Sequence, residues 1–588
     1  MRFLQLAETY NKIEQISGRL ETTDVLAGLF KAASPEEIDR IVYLTQGIIS
    51  PPFTGIEVGM GEKFVAEAIA LATGYSRAEV DKLYHKLGDL GDVAVELVAK
   101  RRQQSLFAQE LAVRSVYDSF MAIAKKTGTG SQEYKIKVLA ELINNAKPAE
   151  VKSIVRFPLG KLRLGVGEPT IMDALSIAKA GDRSIRPTIE RAYNLCSDLG
   201  HVARTLYEKG VRGLEKFEVE PFSPLMPALG ERAANVQEIF DRLGTCIAEE
   251  KYDGFRAQVH KSGDRVEIYS RNLERTTDMF PEIVAAVKSQ VRAKEVILEG
   301  EALAFDEKKN RYWPFQMTIQ RKRKYGVAEM AEELPLNLFA FDLMYLNGKD
   351  YTTVPLRERR AKLEKIIGPG KTIRLSTGII AKSPEDLQRF FERNVGLGLE
   401  GMFAKDLNVG YQAGKRGFAW IKFKKSYVGH LADTIDVVIV GYYVGRGKRA
   451  EFAFGGLLGA VYEPSKDEFQ TLTRVGTGFT EEQMTEFQKL LSVIRVKSKP
   501  KRVNSLVEPS FWVEPKYVVT LTADEITKSP MHTCGMDGGE TGYALRFPRM
   551  VGGIRADRRA EDATSVNEII EIYKLQKRVP APAAKGEL

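Results

Sequence analysis

Residues 216–228 carry three prolines, Pro221, Pro224 and Pro227, and they separate two incompatible hydrophobic patterns. Upstream, apolar residues recur at helical spacing. Downstream, they alternate with period two, as strands do. The stretch therefore reads as a linker or domain entry. A chain of 588 residues is also too long for one core, so several domains are expected.

The segment from Phe3 to Leu20 places Leu4, Leu6, Ala7, Tyr10, Ile13 and Ile16 close to one helical face. Further periodic segments follow at 61–72, 78–86, 93–125, 132–145 and 186–209, and the reading is an all-α domain over residues 1–215. Past the prolines, Arg265–Ser270 alternates after a Ser262-Gly263-Asp264 turn. Residues 295–305 and 336–346 are long apolar strands, and helices are expected at 281–292, 355–367 and 384–394. That makes an α+β domain over 216–428. Strands at 435–443, 456–462, 469–475 and 511–521, with one helix near 480–494, predict a small β-barrel. A helix at 564–577 closes a domain over 429–577, and the proline- and alanine-rich residues 578–588 read as a disordered tail.

No apolar run is long enough to span a membrane, and the N-terminal residues become charged too soon for a secretory signal. Cys196, Cys246 and Cys534 lie far apart and give neither zinc spacing nor a disulfide framework. A reducing, cytoplasmic setting is expected. A net charge of +9 suits a polyanionic partner without deciding for one.

Chemistry concentrates at Glu249-Glu250-Lys251-Tyr252-Asp253-Gly254-Phe255-Arg256. Strand, sharp turn, strand is the natural reading, with Gly254 supplying an unusual backbone angle. A lysine held rigidly there becomes a nucleophile when its surroundings lower its pKa; a hairpin with a surface lysine fits the same residues. Downstream, Arg271 follows a strand and, like Arg256, is suited to fork onto phosphate oxygens. Glu301 protrudes from a buried strand and needs a partner. Phe341 sits among apolar residues, and pattern alone puts it in the core. Lys422 and Lys424 share one strand face. Before the prolines, the Lys125–Gln132 loop opens a helix at about Gln132, where free N–H groups bind phosphate well. The stretch 156–168, with Lys161 and Arg163, suits a backbone lying along a phosphodiester chain. Solvated loops fit both stretches equally well on pattern alone.

Lys251 in K-x-D-G, followed in order by Ser270-Arg271-Asn272, Glu301, Phe341, Glu400 in E-G-x-x-x-K, Lys422/Lys424 and Arg546-Phe547-Pro548-Arg549, resembles the nucleotidyl-lysine signature of ATP-dependent DNA ligases, RNA ligases and capping enzymes. The resemblance runs over about residues 1–577 and is strongest to archaeal ATP-dependent DNA ligases. It implies a helical DNA-binding domain, an adenylation domain and an OB-fold barrel. It implies ATP and Mg²⁺ as cofactors, with nicked duplex DNA as partner, a monomeric enzyme and a sliding clamp as a family-level partner. Lys251 would carry AMP. Glu249, Arg256, Arg271, Glu301, Phe341, Arg416, Lys422 and Lys424 would bind the nucleotide, with Phe341 stacked on adenine and Glu301 on the ribose. Glu301 and Glu400 would hold the metal. Ser131, Lys161, Arg163, Arg546 and Arg549 would contact DNA, the last two within a motif that orients pyrophosphate. That motif runs into Met550-Val551-Gly552-Gly553-Ile554-Arg555, a departure that leaves the separate roles of Arg549 and Arg555 open.

Two motifs mislead. Gly396-Leu397-Gly398-Leu399-Glu400-Gly401 spells G-x-G-x-x-G but precedes a strand rather than opening a helix. Gly370-Lys371-Thr372 lacks the first glycine of a P-loop. Among competing functions, the large helical domain argues against a capping enzyme or RNA ligase. Three scattered cysteines cannot build the zinc module of NAD-dependent ligases, and a non-catalytic DNA-binding protein would leave Lys251, Glu301 and Glu400 without a purpose.

Overall fold

The computed structural model describes all residues except 17, 102–109, 163, 234, 307–310, 314–317, 319–320, 322–325, 425–433, 446–453, 537, 540 and 577–588. Arg163 and the expected tail at 578–588 thus lie outside the described residues, as does the side chain of Arg416. The chain forms two compact units, Met1–Phe217 and Glu218–Leu588. Among the described residues, no helix is long and apolar enough to cross a membrane.

The first unit is helical, with breaks that periodicity alone missed. The expected run over 3–20 is the helix Phe3–Gln15 followed by a second, Arg19–Lys31. The run 93–125 contains the ends of two helices, Leu90–Ala99 and Val113–Lys125. The run 186–209 is broken by Ser197, whose left-handed backbone (φ 52°) ends Arg186–Cys196. Asp198 then caps Leu199–Glu215 by accepting from the His201 amide. A buried charge network ties the helices together: Arg156 donates to Asp89 at 3.0 Å and to Glu14 at 3.1 Å.

The second unit opens with residues 218–228, which are fastened rather than loose. The amides of Phe222, Leu225 and Ala228 donate to His260 Nδ1, Gln258 Oε1 and the Tyr411 hydroxyl. Burial pushes His260 down to about 3, so the ring stays neutral and its Nδ1 remains an acceptor.

Two sheets follow. A seven-stranded sheet is built on Arg265–Ser270, Phe255–Ser262, Glu295–Asp306 and Leu336–Leu346, adjacent in that order. A five-stranded sheet runs Leu229–Arg232, Arg416–Lys424, Gly401–Lys405, Cys246–Lys251, Gly378–Ala381. The expected strand-turn-strand around Lys251 is therefore not a hairpin. Cys246–Lys251 pairs with Gly401–Lys405, while Phe255–Ser262 pairs with Glu295–Asp306. The chain crosses from one sheet to the other through Tyr252, Asp253 and Gly254. Gly254 is also not among the residues with positive φ. It is needed for close approach, because a Cβ there would lie 2.5 Å from the Ala302 carbonyl oxygen.

In the C-terminal part, Ile435–Tyr443 is central and pairs with Gly456–Glu463, Phe511–Val513 and Val518–Thr522. The expected single strand at 511–521 is two, because Pro515 interrupts it and cannot donate to a ladder. Val518–Thr522 also pairs with Arg549–Ile554, and Glu481–Val493 packs its Met484, Phe487 and Leu491 into the core beneath. Among the described residues this pairing does not close on itself, so the expected barrel is met as a strand-rich sheet only.

Asp342 and Arg359 are both fully buried and form a two-pronged pair, Nε to Oδ1 at 2.7 Å and Nη2 to Oδ2 at 3.0 Å, fastening the helix Leu356–Ile366 to the larger sheet. Removing one member leaves a buried charge unpaired. Asp342→Ala is expected to cost about 3–5 kcal/mol in urea denaturation; a loss under about 1 kcal/mol would show that the pair does not anchor the helix.

Candidate active site

A cavity of about 230 Å³ lies within the second unit, between the two sheets and beside residues from the C-terminal part. Lys251 enters it from the last position of its strand. Its Nζ forms an ion pair with Glu400, which directly precedes the neighbouring strand Gly401–Lys405. Lys424 Nζ lies 3.4 Å from the same carboxylate oxygen. Burial alone would push Glu400 up, but Lys251 and Lys424 outweigh it and hold the carboxyl well below the usual range. Glu400 is thus kept ionised, which makes it an anchor for the amine rather than a strong base.

Two further carboxyls behave the opposite way. Burial pushes Glu301 up to about 7, against the charges of Lys251 and Arg256. Burial, then the charge of Glu400, raises Asp253. Glu301 accepts from the Gly254 amide at 3.3 Å, so the crossing segment itself receives this side chain.

The walls are set by strand register. Glu249 lies two residues before Lys251 on the same strand and is almost wholly buried. It accepts from Arg360 and from Ser376 Oγ, and pairs with Lys405. Arg256 donates to Glu299 at 2.8 Å and to the Ala228 carbonyl at 2.8 Å, and its guanidinium lies 5.6 Å from the Phe341 ring centre. Phe341 is only half-buried, with Trp420 edge-on at 6.0 Å and Lys405 Nζ 4.5 Å from its centre. Pattern had put this ring in the core; the structure turns it to the cavity wall.

The cations opposite hold carboxylates from the C-terminal part. Arg271 lies 3.7 Å from Asp562, and Lys422 Nζ lies 2.8 Å from Glu568, which also accepts from Arg232 at 3.0 Å. Asn272 Oδ1 is buried there without a hydrogen-bond partner among the described residues.

Of the residues singled out from sequence, Lys251, Glu249, Arg256, Arg271, Glu301, Phe341, Glu400, Lys422 and Lys424 all line this one cavity. Arg546 and Arg549 do not. They are 57% and 62% exposed and pair with Glu525 and Asp524. Arg555 takes a place in the cavity instead, held by Asp557 through two 2.8 Å hydrogen bonds. Ser131 begins the helix Ser131–Asn145 in the first unit, one residue ahead of expectation. Lys161, in the same unit, is paired with Glu62 at 2.7 Å. Trp420 and Lys405 went unremarked as site residues. Trp420 shares the strand face of Lys422 and Lys424, so period-two alternation carried the signal for it. Glu568 had none, because only tertiary packing brings its helix here.

Three family descriptions match the chain: "DNA ligase N terminus" over residues 2–176, "ATP dependent DNA ligase domain" over 227–424 and "ATP dependent DNA ligase C terminal region" over 450–558. The chain is 49% identical to a "Probable DNA ligase" of Dictyoglomus turgidum, over 98% of each chain. It is 42% identical to the DNA ligase of Saccharolobus solfataricus, over 99% of each. With the DNA ligase of Staphylothermus marinus it shares 42% identity over 98% of this chain and 99% of that one.

The raised Glu301 carboxyl has a consequence for stability. A carboxyl whose folded value exceeds its unfolded one takes up a proton on folding, so its contribution is fullest below its ordinary value of 4.5 and is lost as pH rises to about 7. Glu301→Gln escapes that loss. Relative to the wild type, the variant should gain up to about 3 kcal/mol between pH 4 and pH 8 in denaturant titrations. An equal difference at the two pH values would show that Glu301 is not held protonated by its site.

Proposed function

The chain belongs to the ATP-dependent DNA ligase family and is a DNA-joining enzyme; from that premise we propose that it seals 5′-phosphate/3′-hydroxyl nicks in duplex DNA by passing AMP through Lys251. The observation that carries this reading is the position of Lys251. Its amine sits at the crossing between two sheets, inside a cavity that combines a half-buried aromatic ring with several cations.

Nζ, once deprotonated, attacks the α-phosphorus of ATP. A P–N bond forms, the bond to the bridging oxygen breaks, and diphosphate leaves with the electron pair. The 5′-phosphate at the nick then displaces Lys251 from the same phosphorus, giving a DNA-adenylate. The 3′-hydroxyl attacks the 5′-phosphorus, the phosphodiester forms and AMP departs. Each step is an in-line displacement at phosphorus, so the protein contributes positioning and charge more than covalent chemistry.

The cavity residues suit those tasks. Phe341 offers a face for adenine and Glu249 an acceptor for its amine. Glu301 would take the ribose hydroxyls. Arg256, Arg271, Lys422 and Lys424 serve the nucleotide, with phosphate oxygens replacing the carboxylates that Arg271 and Lys422 now hold; Arg416, whose side chain lies outside the described residues, is assigned to the nucleotide by the family match. Arg555 is the cavity arginine for the leaving diphosphate. Exposed Arg546 and Arg549 would exchange their carboxylate partners for DNA phosphates, and Ser131, Lys161 and Arg163 are assigned to DNA by the family match.

Glu400, Glu301 and Asp253 supply hard carboxylate oxygens, the donor type magnesium takes. Glu400 Oε2 is buried and, among the described residues, pairs with the ammoniums of Lys251 and Lys424. Among the described residues no group of three or more His, Cys, Asp or Glu side chains is arranged to hold a metal ion; an ion held by one or two carboxylates together with substrate phosphates needs no such group. Glu400 and Glu301 would hold such an ion, and its chemistry would be to neutralise the phosphates. The reading includes a monomer acting where DNA resides, with a sliding clamp as an accessory partner.

The test is sealing of a nicked duplex with ATP and Mg²⁺. The wild type should seal it. Lys251→Ala should fail with ATP yet still seal a nick that already carries 5′-AMP, because only the nucleotide carrier is lost. Failure of the wild type to seal, or normal ATP-dependent sealing by Lys251→Ala, would sink this reading. Phosphate contacts should also make DNA binding fall linearly on a log–log plot against salt, whereas a flat plot would remove the phosphodiester chain as the main contact.

A further inference from the structure

Resting on the reading in which Glu249 faces the base, we infer that Arg360 and Ser376 are positioning residues that fix Glu249 as the group distinguishing adenine from guanine. Neither residue lines the cavity. Arg360 reaches Glu249 from behind, from the helix Leu356–Ile366 that the Arg359–Asp342 pair fastens to the larger sheet.

The arrangement is directional. Glu249 Oε1 accepts from Arg360 Nη1 and, at 2.7 Å, from Ser376 Oγ. The Ser376 hydroxyl in turn accepts from the same guanidinium nitrogen at 2.7 Å, and the second nitrogen donates to the Ser376 carbonyl. Arginine, serine and glutamate thus form a closed ring of hydrogen bonds, and Oε1 is fully engaged on the side away from the cavity. Oε2 faces Lys405, whose ammonium lies 4.1 Å from the Trp420 ring centre and 4.5 Å from that of Phe341. This oxygen is buried and is paired with that ammonium. One carboxylate oxygen is therefore gripped by Arg360 and Ser376, and the other, paired with Lys405, lies beside the aromatic wall of the cavity that Glu249 lines.

Adenine presents an amine where guanine presents a carbonyl. An acceptor held in place rewards the first and repels the second. An acceptor free to turn about its side-chain torsions does neither well, and a buried polar group held without freedom is what gives discrimination its strength. Lysine in place of Arg360 preserves the charge but not the fork that grips both Ser376 oxygens.

The test uses the full chain and the rate of lysyl-nucleotide formation, followed with ATP or GTP labelled at the α-phosphate over a range of concentrations. Arg360→Ala should raise the half-saturating ATP concentration and lower the ATP-over-GTP preference, each about tenfold. The rate at saturating ATP should fall much less. A merely structural role would lower that rate without moving the preference. Arg360→Lys should recover part of the preference. Should Arg360→Ala prove unfolded by circular dichroism, Ser376→Ala, which removes a single hydroxyl, must shift the preference in the same direction. An unchanged preference in the folded variant overturns the proposal. Glu249→Ala run in parallel tells the two failures apart. If it loses the preference while the Arg360 and Ser376 variants keep it, only the positioning roles fall. If it too keeps the preference, the placement of Glu249 on the base falls with them.

Discussion

The structure depends on a crossing. Between Lys251 and Phe255 the chain leaves one sheet and enters the other, and the space between the sheets becomes the cavity. The crossing is tight enough that Gly254 has no room for a Cβ, and its amide is received by Glu301. A lysine at this point is held by backbone ladders on both sides. Its long side chain is then stopped by Glu400, so a group with large rotamer freedom is reduced to one position. Orientation of this kind supplies much of the rate in a displacement at phosphorus.

Charge placement follows from the same crossing. Glu249, Lys251 and Asp253 come from one short stretch, and Glu400, Lys422 and Lys424 from adjacent strands in register with it. Buried charges cannot stand alone, and each of these has an opposite charge beside it. Their environments are pushed apart: Glu400 is kept ionised by two lysines, while Glu301 holds its proton to near neutrality. Carboxyls with divided behaviour in one cavity are a mark of a site built for chemistry rather than for packing.

Much of this was legible in the sequence, and the failures have physical causes. The strand Leu336–Leu346 and the helix Pro384–Gly396 stood out because their periodicity is strong and their ends are marked by Asn347-Gly348 and by the Ser383 cap. Nine cavity residues were named in advance through the resemblance, which matches them residue by residue in a fixed order. The two strands flanking residues 252–254 were legible but their membership of different sheets was not, because local pattern cannot say which sheet a strand joins. Phe341 could be placed by resemblance but not by pattern, since one face of its strand is cavity and not core. The break at Ser197 was hidden because serine carries no periodic signal of a left-handed turn. Arg360, Arg555 and Glu568 reach the site or its rear only through tertiary packing.

The central claim is that one lysine among several in this cavity carries the nucleotide. Lys405, Lys422 and Lys424 line the same space as Lys251, so the decisive measurement is peptide mass spectrometry on the protein after incubation with ATP and Mg²⁺ without DNA. The account predicts a single AMP adduct, confined to the peptide containing Lys251 and released when nicked DNA is added. An adduct on any of the other three lysines, or none at all, would contradict it.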